Sequence, residues 1–165
     1  MKLARTGIIA AAILSVATVA FAQKPDFSGS WTVDASAMPA PPAGGGGGGR
    51  GGGMGGGPMV VKQTAATLTV ETTRGEAKTV MTYKLDGTES VNKMTMGRGE
   101  NASEIDTKAT AKWDGSKLVI STQRPGQGGE MMTQVQTWSL DGGVLTIERP
   151  GRDGAVTKTV YKKTT

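Results

Sequence analysis

Glu104 and Asp106 stand two residues apart, and in a strand that spacing puts both carboxylates on one face, as paired-carboxylate hydrolysis requires. Lys108 and Lys112 continue the same face, so the series reads as a solvated charge ladder. Glu71 and Glu148 recur at matching places in two similar segments, which points to scaffold. The chain contains no His and no Cys. That removes Ser-His-Asp triads, cysteine nucleophiles, His/Cys zinc sites and histidine proton relays together. Asp141-Gly142-Gly143 and Asp153-Gly154 lack the alternating oxygen ligands and closing Glu of a calcium loop, and read as turns. Met94 and Met96 share a face before Gly97-Arg98-Gly99, and Met131 and Met132 open a later segment. Thioethers can take cuprous copper, but no dense Met-x-x-Met series is present, so these methionines read as apolar filler. Asn101-Ala102-Ser103 fits a glycosylation acceptor. The expectation is no catalytic residue, no metal site, no cofactor and no enzymatic activity.

The elements that position these side chains are strands. Ile105, Thr107, Ala109, Ala111 and Trp113 alternate with Glu104, Asp106, Lys108, Thr110 and Lys112, a clean period of two. Phe27, Gly29, Trp31 and Val33 alternate with Asp26, Ser28, Ser30 and Thr32. One pattern is written three times: Leu68-Thr69-Val70-Glu71 runs on to Tyr83, Leu118-Val119-Ile120-Ser121 to Trp138, and Leu145-Thr146-Ile147-Glu148 to Tyr161. Each copy opens apolar–x–apolar, crosses a polar Gly-containing turn and closes on an aromatic. Met132, Trp138 and Leu140 share a face with Gln134 and Gln136, which predicts a partly polar inward side or a bulge. Asp86-Gly87, Asp114-Gly115 and Asp141-Gly142-Gly143 supply hairpin turns. The reading is all-β, an antiparallel up-and-down meander of about 8–10 strands, closed or nearly closed so that its edges are covered.

The ends and the composition bound the rest. Met1–Ala22 reads as a secretory signal peptide: Lys2 and Arg5 begin it, Gly7 to Val19 is apolar, and Ala20-Phe21-Ala22 offers a cleavage site. Cleavage near Ala22 leaves residues 23–165 as a single secreted domain, periplasmic or extracellular, without a membrane anchor in the mature form. Of 19 basic residues the signal removes Lys2 and Arg5, leaving 17 against 14 acidic, a mature balance of +3. Basic residues interleave with Thr, Glu and Asp, and aromatics are sparse, so a nucleic-acid partner is not expected. Residues 38–58 are Pro- and Gly-rich, and Gly44 to Gly57 is broken only by Arg50 and Met54. Such a segment buries nothing and reads as a disordered insert, not a phosphate loop, because no Gly-Lys-Ser/Thr follows.

Asp26-Phe27-Ser28-Gly29-Ser30-Trp31-Thr32-Val33 resembles the Gly-x-Trp opening of the calycins, the lipocalin and fatty-acid-binding-protein group of ligand-carrying barrels. Trp113-Asp114-Gly115-Ser116-Lys117-Leu118 and Thr159-Val160-Tyr161-Lys162-Lys163 resemble late strands of the fatty-acid-binding branch. The whole mature chain resembles small secreted bacterial proteins that begin Asp-Phe-Ser-Gly-x-Trp and end Val-Tyr-Lys-Lys. The resemblance implies a calycin-like barrel closed at one end by Gly29 and Trp31. It also implies carriage of a small apolar or amphipathic ligand. Apolar walls would come from Leu68, Val70, Met81, Tyr83, Ile105, Leu118, Ile120, Leu145 and Ile147, with polar selection by Tyr83, Tyr161 or the two glutamines. Two departures accompany it. The Arg that the fatty-acid-binding branch places two residues before its final Tyr is Thr159 here, and the helical lid after the first strand is replaced by 38–58. The alternative is a structural or interaction domain of the periplasm or cell surface, with no ligand and a protein partner that the residues do not identify.

Overall fold

In a computed structural model, residues 24–37, 57–75, 77–96, 103–126, 129–150 and 154–164 are described. The leader Met1–Ala22, nearly all of the 38–58 insert, the Gly97-Arg98-Gly99 loop and Asn101 lie outside them. Ten strands follow in order: β1 (Gly29–Val33), β2 (Met59–Gln63), β3 (Thr67–Arg74), β4 (Ala77–Lys84), β5 (Ser90–Met96), β6 (Ser103–Asp114), β7 (Lys117–Pro125), β8 (Met131–Asp141), β9 (Val144–Pro150) and β10 (Val156–Thr164). A 3-10 turn, Ala35–Ala37, follows β1.

All ten strands form one antiparallel sheet in the order β4-β3-β2-β1-β10-β9-β8-β7-β6-β5. Only neighbours in sequence pair, except that β1 pairs with β10 and so joins the two ends of the chain. The result is an up-and-down barrel, nearly closed, with β4 and β5 as its two facing edges. The β8–β9 turn shows how local chemistry sets this path. Asp141 pairs with Val144 across a two-residue loop in which Gly142 and Gly143 have φ of 55° and 82°, the type I′ geometry whose twist matches paired strands.

The threefold pattern acquires one meaning in the register. Leu68 lies opposite Tyr83, Leu118 opposite Trp138 and Leu145 opposite Tyr161. In each hairpin the first apolar residue is therefore the cross-strand partner of the closing aromatic, and all six are buried. Such same-face pairs are the unit of sheet stabilisation, and their recurrence holds three hairpins in equivalent register. The β8 strand carries no bulge: it pairs continuously with β7 from Met131 to Trp138, and Gln136 is buried inside. Its inward side is partly polar.

One end of the barrel is closed by aromatics. Phe27, fully buried, stacks on Trp113 (5.9 Å between centroids, 6° between planes) and meets Trp138 edge-on (5.7 Å, 80°). Gln63 ties the segment that carries Phe27 to β2: its Oε1 accepts from the Phe27 N–H at 3.0 Å and its Nε2 donates to the Pro25 carbonyl at 3.0 Å. The Trp31 Nε1 donates to the Phe27 carbonyl at 2.9 Å, and Lys163 Nζ lies 5.5 Å from the Trp31 ring centroid.

Gly29 makes that last contact possible. Its φ is +143°, and a Cβ built there would lie 2.5 Å from Lys163 Cε. Gly29→Ala is expected to cost about 1–3 kcal/mol in backbone strain alone, read by chemical denaturation. Adding Lys163→Ala should recover the steric part of the loss and leave the backbone part. Full recovery in the double variant would show that the backbone demands nothing special at Gly29.

Candidate functional site

The inward faces are set by the alternation of each strand. Leu68, Val70, Met81, Tyr83, Leu118, Ile120, Leu145, Ile147 and Tyr161 are all buried in one continuous core, and Ile105 is half-buried towards the opposite end from the plug. Trp31 is buried in the same core. Thr107, Ala109 and Ala111 also face inward and are buried, so β6 turns small side chains to the interior.

Within this apolar lining sits a polar group contributed by several strands. Arg149 follows Leu145 and Ile147 on the inward face of β9, and its Nη1 donates to Thr159 Oγ1 at 3.4 Å. Thr159 faces Ile147 across the β9–β10 ladder and is buried. Tyr83 reaches the same region from β4 and is hydrogen-bonded to Thr122 on β7. Burial pushes the Tyr83 phenol well above its ordinary pKa, while the positive charge of Arg149 and the bond with Thr122 pull the other way. The phenol is thus neutral at any physiological pH and keeps its proton to donate. Gln136 accepts from Trp138 Nε1 at 3.3 Å, and Thr107 Oγ1 donates to the Asn92 carbonyl at 3.1 Å.

This arrangement can hold an anion beside an apolar chain. It offers a guanidinium, hydroxyl groups and a neutral phenol, and it contains no general base. Thr159, where the fatty-acid-binding branch carries Arg, is met by a guanidinium from the neighbouring strand. Arg149 escaped the reading of the residues because the Leu145–Ile147 alternation was not carried one step further. That step would have placed it inside.

The other candidates fall outside the barrel. Glu104 and Asp106 are exposed, and Glu104 pairs with Lys93 at 3.3 Å. Glu71 sits on the outer wall between Lys78 at 2.8 Å and Lys62 at 3.6 Å, and the hydrogen bond from Lys78 holds its carboxyl below the usual range. Glu148 faces Lys158 at 3.8 Å on the outer wall. A groove of about 330 Å³ opens on the outside over Val60, Glu71, Thr73 and Lys78, and its charges already satisfy one another. Among the described residues no three Asp or Glu side chains converge to hold a metal ion. No helix among them is long and apolar enough to cross a membrane.

No family model matches the chain, and no curated protein matches it. Among solved structures, 40 chains match. One is a mutant of the fluorescent protein UnaG, with a TM-score of 0.55 and 18% identity over 84% of this chain and 96% of that one. That likeness concerns the fold, a calycin-type β-barrel, in agreement with the resemblance carried by Gly29-Ser30-Trp31.

Proposed function

We propose that the chain is exported by its Met1–Ala22 leader and that its barrel carries a small amphipathic ligand, without catalysing a reaction. The apolar body of the ligand lies against Val70, Met81, Ile120 and Ile147, and its anionic head is held by Arg149 with Thr159 and Tyr83. The observation that carries this reading is Arg149, a guanidinium on the inward face of a calycin-type barrel and bonded to a buried threonine. Charge-assisted hydrogen bonds from such a group are the strong ones, and they weigh more where water is scarce. Among the described residues no acid–base pair, which an enzyme reading needs, stands on the inward faces.

Native mass spectrometry of the protein purified from cells that export it should reveal a co-purifying small acid. In titrations with a fluorescent fatty-acid analogue, Arg149→Gln is expected to weaken binding by about 1.5–3 kcal/mol, roughly tenfold to a hundredfold. A ligand-free mass together with no uptake of the probe would return the chain to the reading of a ligandless structural domain.

A further inference from the structure

A second polar pair stands on the inward faces, apart from the Arg149 group. Arg124 follows Leu118, Ile120 and Thr122 on the inward face of β7, and Gln134 on β8 lies directly opposite Thr122. Arg124 faces Met132 on β8, so Arg124 and Gln134 are diagonal neighbours on one wall. Both are half-buried. Beyond the β7–β8 ladder, neither side chain hydrogen-bonds to a described residue. Arg124 stands two residues beyond Thr122 towards the β7–β8 loop, about 7 Å along the strand. Thr122 is the partner of Tyr83, whose phenol feels the charge of Arg149. Among the side chains described, the inward faces therefore hold two guanidiniums, Arg149 and Arg124, at two depths.

The acidic residues sharpen the point. Every Asp and Glu on the strands (Glu71, Glu104, Asp106, Asp114, Asp141 and Glu148) occupies an outward register position. Two guanidiniums with no carboxylate among the described side chains of the inward faces repel each other, and a bound anion of matching spacing relieves that repulsion. A ligand with a single acidic end would leave an apolar tail or water against Arg124, where an acidic group gains a charge-assisted bond.

We infer that the ligand carries two separated acidic groups, one at Arg149 and one nearer the loop end at Arg124 and Gln134. This rests on the carriage reading above and goes further by fixing the class of ligand as a dianionic amphiphile. No covalent step is involved.

Isothermal titration of the purified protein with dodecanedioic acid and with dodecanoic acid tests it. The diacid should bind about tenfold more tightly, although in a lumen with one cationic site its second carboxylate would weaken binding. Arg124→Gln should abolish the preference by weakening the diacid far more than dodecanoic acid, whereas Arg149→Gln should weaken both. Arg124→Lys keeps the charge and should keep most of the preference. Thermal melts of the variants separate loss of binding from loss of fold. If the monoacid binds as tightly as the diacid, or if Arg124→Gln weakens both alike, the two-anion assignment is overturned and ligand carriage stands. If neither acid binds, carriage itself fails.

Discussion

Phe27→Ala is expected to destabilise the barrel by about 3–5 kcal/mol, a large share of the roughly 5–15 kcal/mol that holds a domain of this size together. The ring is fully buried between two tryptophans from strands far away in the chain, stacked on Trp113 and edge-on to Trp138. Removing it deletes two aromatic contacts, each adding about 0.5–1.5 kcal/mol to ordinary burial, and leaves a void that the tryptophans cannot close without leaving their own strands.

The backbone of the same residue is held independently, through Gln63 and through the Trp31 indole. Those bonds do not involve the ring and survive the substitution, so the loss reports packing of the plug and not detachment of the segment. Urea unfolding followed by tryptophan emission reads both effects: a lowered midpoint, and a red-shifted native spectrum as water reaches Trp113 and Trp138. Phe27→Leu should lose much less. A Phe27→Ala protein within about 1 kcal/mol of the parent would mean that the ring does not close the barrel end, since buried Phe→Ala changes fall well above that figure.

Which parts of this structure could be read from residues follows from the range of the interactions that specify them. Alternation is local, so the inward placement of Thr107, Ala109 and Ala111 and the outward placement of Glu104 and Asp106 were legible. The three hairpins were legible because Leu68 and Tyr83 are joined by a single turn. Phe27 could be assigned a face, but its partners are Trp113 and Trp138, and no local signal ties it to them. Arg149 needed only a longer count along β9, whereas its meeting with Tyr83 on β4 depends on closure of the whole barrel. The seam between β4 and β5 was the least legible. Ser90 and Asn92 look like ordinary polar strand residues until the two edges are brought together.

That seam yields the second large expected effect. No backbone ladder joins β4 to β5, and side chains of β5 supply the bonds instead. The Asn92 carboxamide accepts from the Thr82 N–H through Oδ1 at 2.7 Å and donates to the Thr82 carbonyl through Nδ2 at 3.1 Å. Ser90 Oγ accepts from the Lys84 N–H at 2.9 Å. The carboxamide thus takes the place of a missing peptide group, satisfying both polar groups of one edge residue. Asn92 is itself only 7% exposed. Asn92→Leu, similar in size and unable to bond, should cost about 2–4 kcal/mol, because it leaves a donor and an acceptor unsatisfied while its bulk hinders water from replacing them. Asn92→Ala admits water and should cost less, an ordering opposite to that of an apolar core position. Hydrogen exchange provides the local reading. In the leucine variant the Thr82 amide should lose protection, while amides of the β6–β7 hairpin keep theirs until global unfolding. If Leu is tolerated better than Ala, Asn92 is held by packing, and the barrel is closed at this seam by something other than its carboxamide.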